Sequence, residues 1–354
     1  MFYNIMINRI TLILLSFTLL TSVVLSQDLI LPRISPPAEV SQTIGLSKIT
    51  INYSRPAVRG RIIWGGLVPY NNGKPFPWRA GANENTTIYF SDSVKINGKD
   101  LPAGTYGFHI IPSDAEWILI FNKHYKAWGS FFYDSSQDAL RIEVIPERIY
   151  FNEWLEYRFD NITSNSVDIN MHWEYLNVRF TAQFDETKIV LKSIREQLLS
   201  IPGFSWEGPM QAAQYCLDNN INYEEALKWI DQSISRNSNF SNNIVKIDLL
   251  RRMGRDEEAN KLEETALKNA SEDELDRYGY RLMNKNKVHE ALIVFKQNME
   301  RNPDSWNAYD SYAEALKLSG QIKEAIKYYE LAKQKAPDEQ KDRIQQILDL
   351  LENP

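Results

Sequence analysis

The chain has 354 residues, 43% hydrophobic and 24% charged, ordinary globular values that leave room for two domains with separate cores. A formal net charge of −6 argues against nucleic acid as a partner, which needs a basic face to displace phosphate counterions. The one cysteine, Cys216, excludes an intrachain disulfide and any zinc site built on cysteines.

Taken in chain order, residues 1–26 read as a secretory signal peptide. MFYNIMINR is a short, weakly positive start and ITLILLSFTLLTSVVLS an apolar run; the small residues Val24 and Ser26 predict cleavage before Gln27. An uncleaved N-terminal anchor is the competing reading. With no cysteine after the run for lipid attachment, the expectation is a chain exported to a bacterial periplasm or surface, with no membrane span after cleavage.

From about Lys48 to Ala182 the hydrophobic period is two. ITINY, TTIYF, TYGFHII, EWILIF, RIEVIP, LEYRF, VDINMHW and YLNVRFTA read as strands, with Asn97-Gly98 and Pro102-Ala103-Gly104 as turns. Short strands with no helical period between them predict an antiparallel β-sandwich or barrel-like domain over residues 28–185.

After Thr187 the period becomes helical. KIVLKSIREQLLS predicts a linker helix within residues 186–204, stopped by Ile201-Pro202-Gly203. Beyond it, four segments align on Ala226, Ala259, Ala291 and Ala325, which lie 33, 32 and 34 residues apart. Phe295 and Tyr329 fill one large-residue position, and Pro303 and Pro337 close the last two units. Glu263 and Ser238 depart from the pattern in the second and first units.

This small–large–Pro period resembles the tetratricopeptide repeat over about residues 205–354. The resemblance implies about four stacked helix pairs, with DEQKDRIQQILDLLEN as the polar-faced capping helix. The fold class expected is therefore α+β in separate domains, a β-sandwich followed by an α-helical solenoid.

Three stretches of the β half, YSRPAVRGRIIWGGLVPY, WRAGANENTTIYF and LPAGTYGFHIIPSDAEWILIFNK, together resemble an exported bacterial family known only as domain of unknown function 2911, common in Bacteroidetes-type proteins. The resemblance spans about Leu31 to Phe180, with the loop NNGKPFP longer than the pattern before WRAGANE. It implies a domain boundary and an export context, and no reaction.

In PWRAGANENTT, the candidate ligand-binding residues are Trp78, Arg79, Asn83 and Glu84. Arg79 offers a planar donor fork for a carboxylate or sugar hydroxyls, Asn83 can orient a polar ligand, and Glu84 can accept or shuttle a proton. The opposing reading is a structural corner, with Gly81 and Asn83 in a tight turn, Arg79 paired with Glu84, and Trp78 plugging one end of the sandwich.

A glycan-binding face is an alternative, with Trp64, Trp78, Trp117, Trp128, Trp154 and Trp173 as candidates, set against an aromatic core. So is a glycosidase pair drawn from Glu84, Asp114, Glu116, Glu143 and Glu153. No nucleophile elbow or phosphate loop supports an enzyme. His109, His124 and His172 have no metal-ligand spacing and read as structural, so no metal and no cofactor is expected. Cys216, in the helical pattern QAAQYCLDN, reads as a buried structural thiol.

The repeat resemblance implies a concave groove lined by the first helix of each unit. Mapped by spacing, it presents Asp273, Asp276, Tyr280 and Met283, then Asn307, Asp310, Glu314 and Lys317. Such a mostly acidic groove suits a protein or peptide with basic and apolar side chains. The function expected is that of an exported binding or scaffold protein, with a protein partner on the repeats and a second contact on the β domain. The competing function is a carbohydrate-binding or hydrolytic domain centred on Arg79, Asn83 and Glu84.

Overall fold

The computed structural model describes residues 31–70 and 77–352, so the expected signal peptide lies outside the described residues. Alternating apolar residues in the first half form ten strands there. They are β1 (Pro37–Ile44), β2 (Ser47–Ser54), β3 (Thr86–Phe90), β4 (Val94–Ile96), β5 (Lys99–Leu101), β6 (Gly104–Ile111), β7 (Trp117–Asn122), β8 (Asp138–Val144), β9 (Glu147–Asp160) and β10 (Ser166–Phe184).

They make two antiparallel sheets, one of six strands in the order β1-β2-β3-β6-β7-β8 and one of four in the order β5-β4-β10-β9. The inward side chains of both sheets form one core. Ile49, Ile51, Ile88, Phe90, Phe108 and Phe121 come from the first sheet, and Ile96, Leu155, Ile169, Met171, Trp173 and Phe180 from the second. Each is worth about 1.5–3 kcal/mol when fully withdrawn from water, so this apolar layer fixes the sandwich.

β1, β4 and β5 lie outside the segments expected as strands. VDINMHW and YLNVRFTA are not two strands but two halves of β10, joined through Glu174. Glu174 has φ +53°, and the register against β9 shifts on either side of it. A bulge takes up an extra residue without ending the strand, and its break in alternation imitates a turn in the sequence.

The helices begin with α1 (Glu186–Gln197), followed by a short 3₁₀ turn at Ile201–Gly203. The chain divides into two compact units, Met1–Leu191 and Lys192–Pro354, so the division falls within α1. The remaining helices are α2 (Glu207–Asp218), α3 (Tyr223–Arg236), α4 (Phe240–Arg252), α5 (Asp256–Asn269), α6 (Glu272–Asn284), α7 (Val288–Arg301), α8 (Trp306–Leu318), α9 (Ile322–Lys335) and α10 (Asp338–Glu352).

The aligned alanines explain the pairing. Ala226, Ala259, Ala291 and Ala325 sit in α3, α5, α7 and α9, and each is 0% exposed, as close helix approach demands. Phe295 and Tyr329 are buried beside them. Gly279 of α6 completes the fit, because a methyl group there would stand 2.4 Å from the Phe295 ring. Capping boxes at Asn239–Asn242 and Ser271–Glu274 start α4 and α6.

Candidate functional site

PWRAGANENTT runs alongside β6 from Trp78 into β3. Trp78 pairs with Ile110 of β6 through both backbone bonds, at 2.7 and 2.8 Å, and its indole donates to the Gly81 carbonyl at 3.1 Å. Ala80 is fully buried with φ +50°, and its carbonyl accepts the hydroxyls of Thr86 (3.0 Å) and Tyr157 (2.8 Å). The Trp78 ring stacks on Trp173, with centroids 5.7 Å apart, and Trp64 meets Trp78, Trp117 and Trp173. Four of the six candidate sugar-stacking tryptophans thus pack on one another, while Trp128 and Trp154 are exposed.

The expected Arg79–Glu84 pair does not form. Glu84 takes Arg33 instead, at 2.8 and 2.9 Å, and the Asn83 amide donates to the Ser35 carbonyl at 3.1 Å. Both residues therefore stitch the segment before β1 onto the corner. Arg79 donates to the Asn83 carbonyl and lies 5.7 Å from the Phe131 ring centroid. It has no carboxylate partner among the described residues, and burial lowers its pKa from the ordinary value.

Behind Arg79, the stretch between β7 and β8 folds back over the outer face of β6. Asn122, 1% exposed, holds it down by donating to the Asp134 carbonyl (2.9 Å) and the Asp138 carboxylate (2.7 Å). Under this cover His109 is 1% exposed, with Nδ1 3.0 Å from Ser130 Oγ. Burial pulls the imidazole down to about 4; Asp138 opposes that shift and Arg79 adds to it. His172 is equally buried, with Nδ1 3.9 Å from a Glu156 oxygen.

In the helical unit, a concavity of about 890 Å³ opens across α2, α4 and α6. Asp218, Asp248, Arg252, Arg281 and Lys285 help line it. A smaller hollow of about 200 Å³ shares Gln214, Tyr278 and Arg281 with it and adds an apolar floor of Met210, Phe240 and Ile244. Asp248 is neutralised by Arg281 (2.7 Å) and Lys285 (3.0 Å). Arg252 and Arg277 are exposed and have no ion-pair partner among the described residues, so the rim is net positive.

The groove residues expected from repeat spacing do not line these two concavities. Asp276 accepts from Ser311 at 2.6 Å and Tyr280 donates to Glu314 at 2.9 Å, which places both pairs in the seam between α6 and α8. Asp310 is 6% exposed and is bonded at 2.9 Å by Arg343 of α10, the helix expected to cap the stack. Burial raises the carboxyl pKa values of both Asp276 and Asp310. Lys317 lies over the Tyr329 ring at 5.9 Å, Asn307 and Met283 are half-buried, and Asp273 is exposed.

Residues 35–182 match the family described as protein of unknown function (DUF2911). The corner and the His109 cluster both fall within this DUF2911 domain. A search of the curated proteins finds no match. Among solved structures, YrrB, titled a TPR protein with an unusual peptide-binding site, is similar at 19% identity, covering 37% of this chain and 68% of its own, with a TM-score of 0.24. MamA from Desulfovibrio magneticus RS-1 is also similar at 19% identity, over 41% and 82%, with a TM-score of 0.27. PilF of Pseudomonas aeruginosa has 13% identity over 42% and 68%, with a TM-score of 0.27. Likeness at this level carries no argument about a partner.

Two features of the sites escaped the sequence reading. In α6 the stripe 274, 277, 278, 281 and 282, with Lys285 just beyond it, borders the concavities, whereas Asp276 and Tyr280 bond Ser311 and Glu314 of α8. Repeat spacing assigns a helix to the groove without fixing which side of it faces the open space. The cationic cluster at 251, 252, 277, 281 and 285 was the available signal. In the DUF2911 domain, Asn85 lay unremarked inside WRAGANENTT and Ser130 carried no motif; the pairing of β3 with β6 brings Asn85 beside His109, and the cover between β7 and β8 brings Ser130.

Proposed function

We propose that the chain is an exported scaffold whose helical unit holds an acidic, partly apolar segment of a protein partner in the α2–α4–α6 groove. The observation that carries this reading is the joined concavity with an apolar floor and a cationic rim. Cationic side chains without internal partners favour carboxylates, and an apolar floor supplies the desolvated anchor that affinity needs. The apolar run at residues 10–26 supports export, which N-terminal sequencing of envelope-fraction protein tests by a start at Gln27.

Fluorescence anisotropy tests the groove with two labelled peptides, one rich in Glu and Leu and its Lys-for-Glu counterpart. The acidic peptide should bind at least about tenfold tighter, and the double variant Arg252→Glu, Arg277→Glu should lose it. Equal binding of the two peptides, or retention by a folded double variant, overturns the groove assignment.

A second contact on the DUF2911 domain is favoured by exposed rings on β9 and β10. Phe151 and Tyr175 lie 5.2 Å apart, with Arg148 5.2 Å from the Tyr175 ring and Tyr150 nearby on the same strand. Flat rings beside a donor-rich cation suit a glycan. Retention of the protein on immobilised peptidoglycan, lost in Phe151→Ala with Tyr175→Ala, is the expected result; unchanged retention removes this contact.

A further inference from the structure

The geometry points to a binding site for a small carboxylate in the DUF2911 domain, between Arg79, Asn85, His109 and Ser130, beneath residues 127–131. None of these side chains is part of the repeat groove, so this site stands or falls apart from the scaffold reading.

Asn85 is the first observation. It is 7% exposed, and neither its amide nitrogen nor its amide oxygen has a hydrogen-bond partner among the described residues. Burying an amide with both ends unpaired is costly, and such a group is retained where something else completes it. Its Nδ2 lies beside His109: a methyl group on Gly107 would stand 3.3 Å from Asn85 Nδ2, His109 Nε2 and the His124 carbonyl oxygen. The missing side chain at Gly107 keeps that space for polar atoms.

Arg79 is the second. Its guanidinium is half-buried, bonds only a backbone carbonyl, and faces no carboxylate among the described residues. The covering segment presses onto it, since a methyl group on Gly129 would stand 2.6 Å from Arg79 Nη1; φ +62° at Gly129 makes this approach possible. Ser130 follows directly, and its Oγ lies 3.0 Å from His109 Nδ1.

Hydrogen counting then sets the ligand class. The neutral His109 ring has one N–H and Ser130 one O–H, and their mutual bond uses one of the two. Whichever tautomer holds, the pair keeps one donor, either Ser130 O–H or His109 Nε2–H. Adding Asn85 Nδ2 and the guanidinium gives three donor groups and one uncompensated positive charge, with Asn85 Oδ1 and the His124 carbonyl as acceptors that a carboxylate leaves to other partners. The nearest acid, Asp138, is already taken up by Asn122, Tyr133 and Arg141. A planar monoanion matches the guanidinium fork, and the depth of Asn85 and His109 limits it to a small acid or a chain-terminal carboxylate.

Equilibrium dialysis of the full chain with radiolabelled formate, acetate and inorganic phosphate tests this. One formate or acetate per chain should bind saturably, about tenfold more weakly in Asn85→Leu and Arg79→Gln, and unchanged in Glu84→Ala. Ser130→Ala, the mildest change, should weaken binding several-fold if the larger substitutions impair folding. No saturable carboxylate binding below about 10 mM, or binding indifferent to all three site variants, overturns the site. Preference for phosphate overturns the carboxylate assignment.

Discussion

Tyr278 of α6 donates its phenol to Glu263 of α5 at 2.6 Å, and Arg251 of α4 pairs with the other oxygen of the same carboxylate. Glu263 holds the position that Phe295 and Tyr329 fill in the last two units. The second repeat has thus replaced an apolar plug with a three-residue polar network joining two units. Glu263→Ala would leave a buried phenol and a half-buried guanidinium unpaired, and should cost about 2–3 kcal/mol in chemical denaturation. Combined with Tyr278→Phe, the loss should fall short of the sum by at least about 0.5 kcal/mol. Strict additivity would show that the network is not cooperative.

Gly279 and Phe295 make the opposite kind of contact, one that requires an absent side chain. Gly279→Ala gains up to about 1 kcal/mol of helix propensity, but it places a methyl group 2.4 Å from a fully buried ring. Overpacking a tight core costs about 1–3 kcal/mol, so the net change should be destabilising. A raised melting temperature in the alanine variant would contradict this packing.

His109 should give the DUF2911 domain a measurable acid sensitivity. Its folded pKa, near 4, lies below the ordinary 6.5, so between these values the unfolded chain binds more protons than the folded one. Stability contributed by the neutral ring is present above pH 6.5 and lost as pH falls toward 4, up to about 3 kcal/mol. Denaturation of the parent and of His109→Asn at pH 4, 5, 6 and 7 isolates the effect. The parent should lose the extra stability across that window and the variant should not.

Cys216 is 0% exposed, and burial, with a smaller contribution from Glu225, pushes its thiol up to about 11, Arg195 opposing. At pH 8 roughly one thiol in a thousand would then be ionised. Ellman's reagent should leave the native protein unmodified over hours and label one thiol promptly in denaturant. Fast native labelling would mean that α2 opens.

At the corner, two substitutions should differ in the reverse order of their charge. Glu84→Ala breaks an ion pair whose side chains are 45% and 49% exposed, and should cost no more than about 1 kcal/mol. Tyr157→Phe removes a buried hydrogen bond to the Ala80 carbonyl and should cost about 1–1.5 kcal/mol. Urea melts of the two variants compare these losses directly; a larger loss for Glu84→Ala would mean that the corner hangs on its ion pair.

The fold was largely legible because its signals are local. Alternation exposed β2, β3 and β6 to β10, though not β1 or the short β4 and β5, and the alanine period exposed the helix pairs and the plug positions of the last two units. What escaped depended on contacts far apart in sequence. The bulge at Glu174 imitates a turn, because a residue at positive φ breaks alternation as a loop does. The Arg33–Glu84 pair spans 51 residues, so Glu84 looked free to meet Arg79. Asp310 looked exposed because the arginine that covers it belongs to a helix outside the repeat pattern.

The tie between residues 33–35 and the corner at 83–84 also bears on how the domain assembles. Arg33 and Asn83 each depend on partners 51 and 48 residues away, past β1, β2 and the whole approach to Trp78. During synthesis the leading segment emerges first and has nothing to bond until the corner has followed it. Closure of so long a loop is slow relative to local pairing, so the hairpin of β1 and β2 forms before the strap that leads into it is fastened. The first residues of the domain to appear are then among the last to be secured.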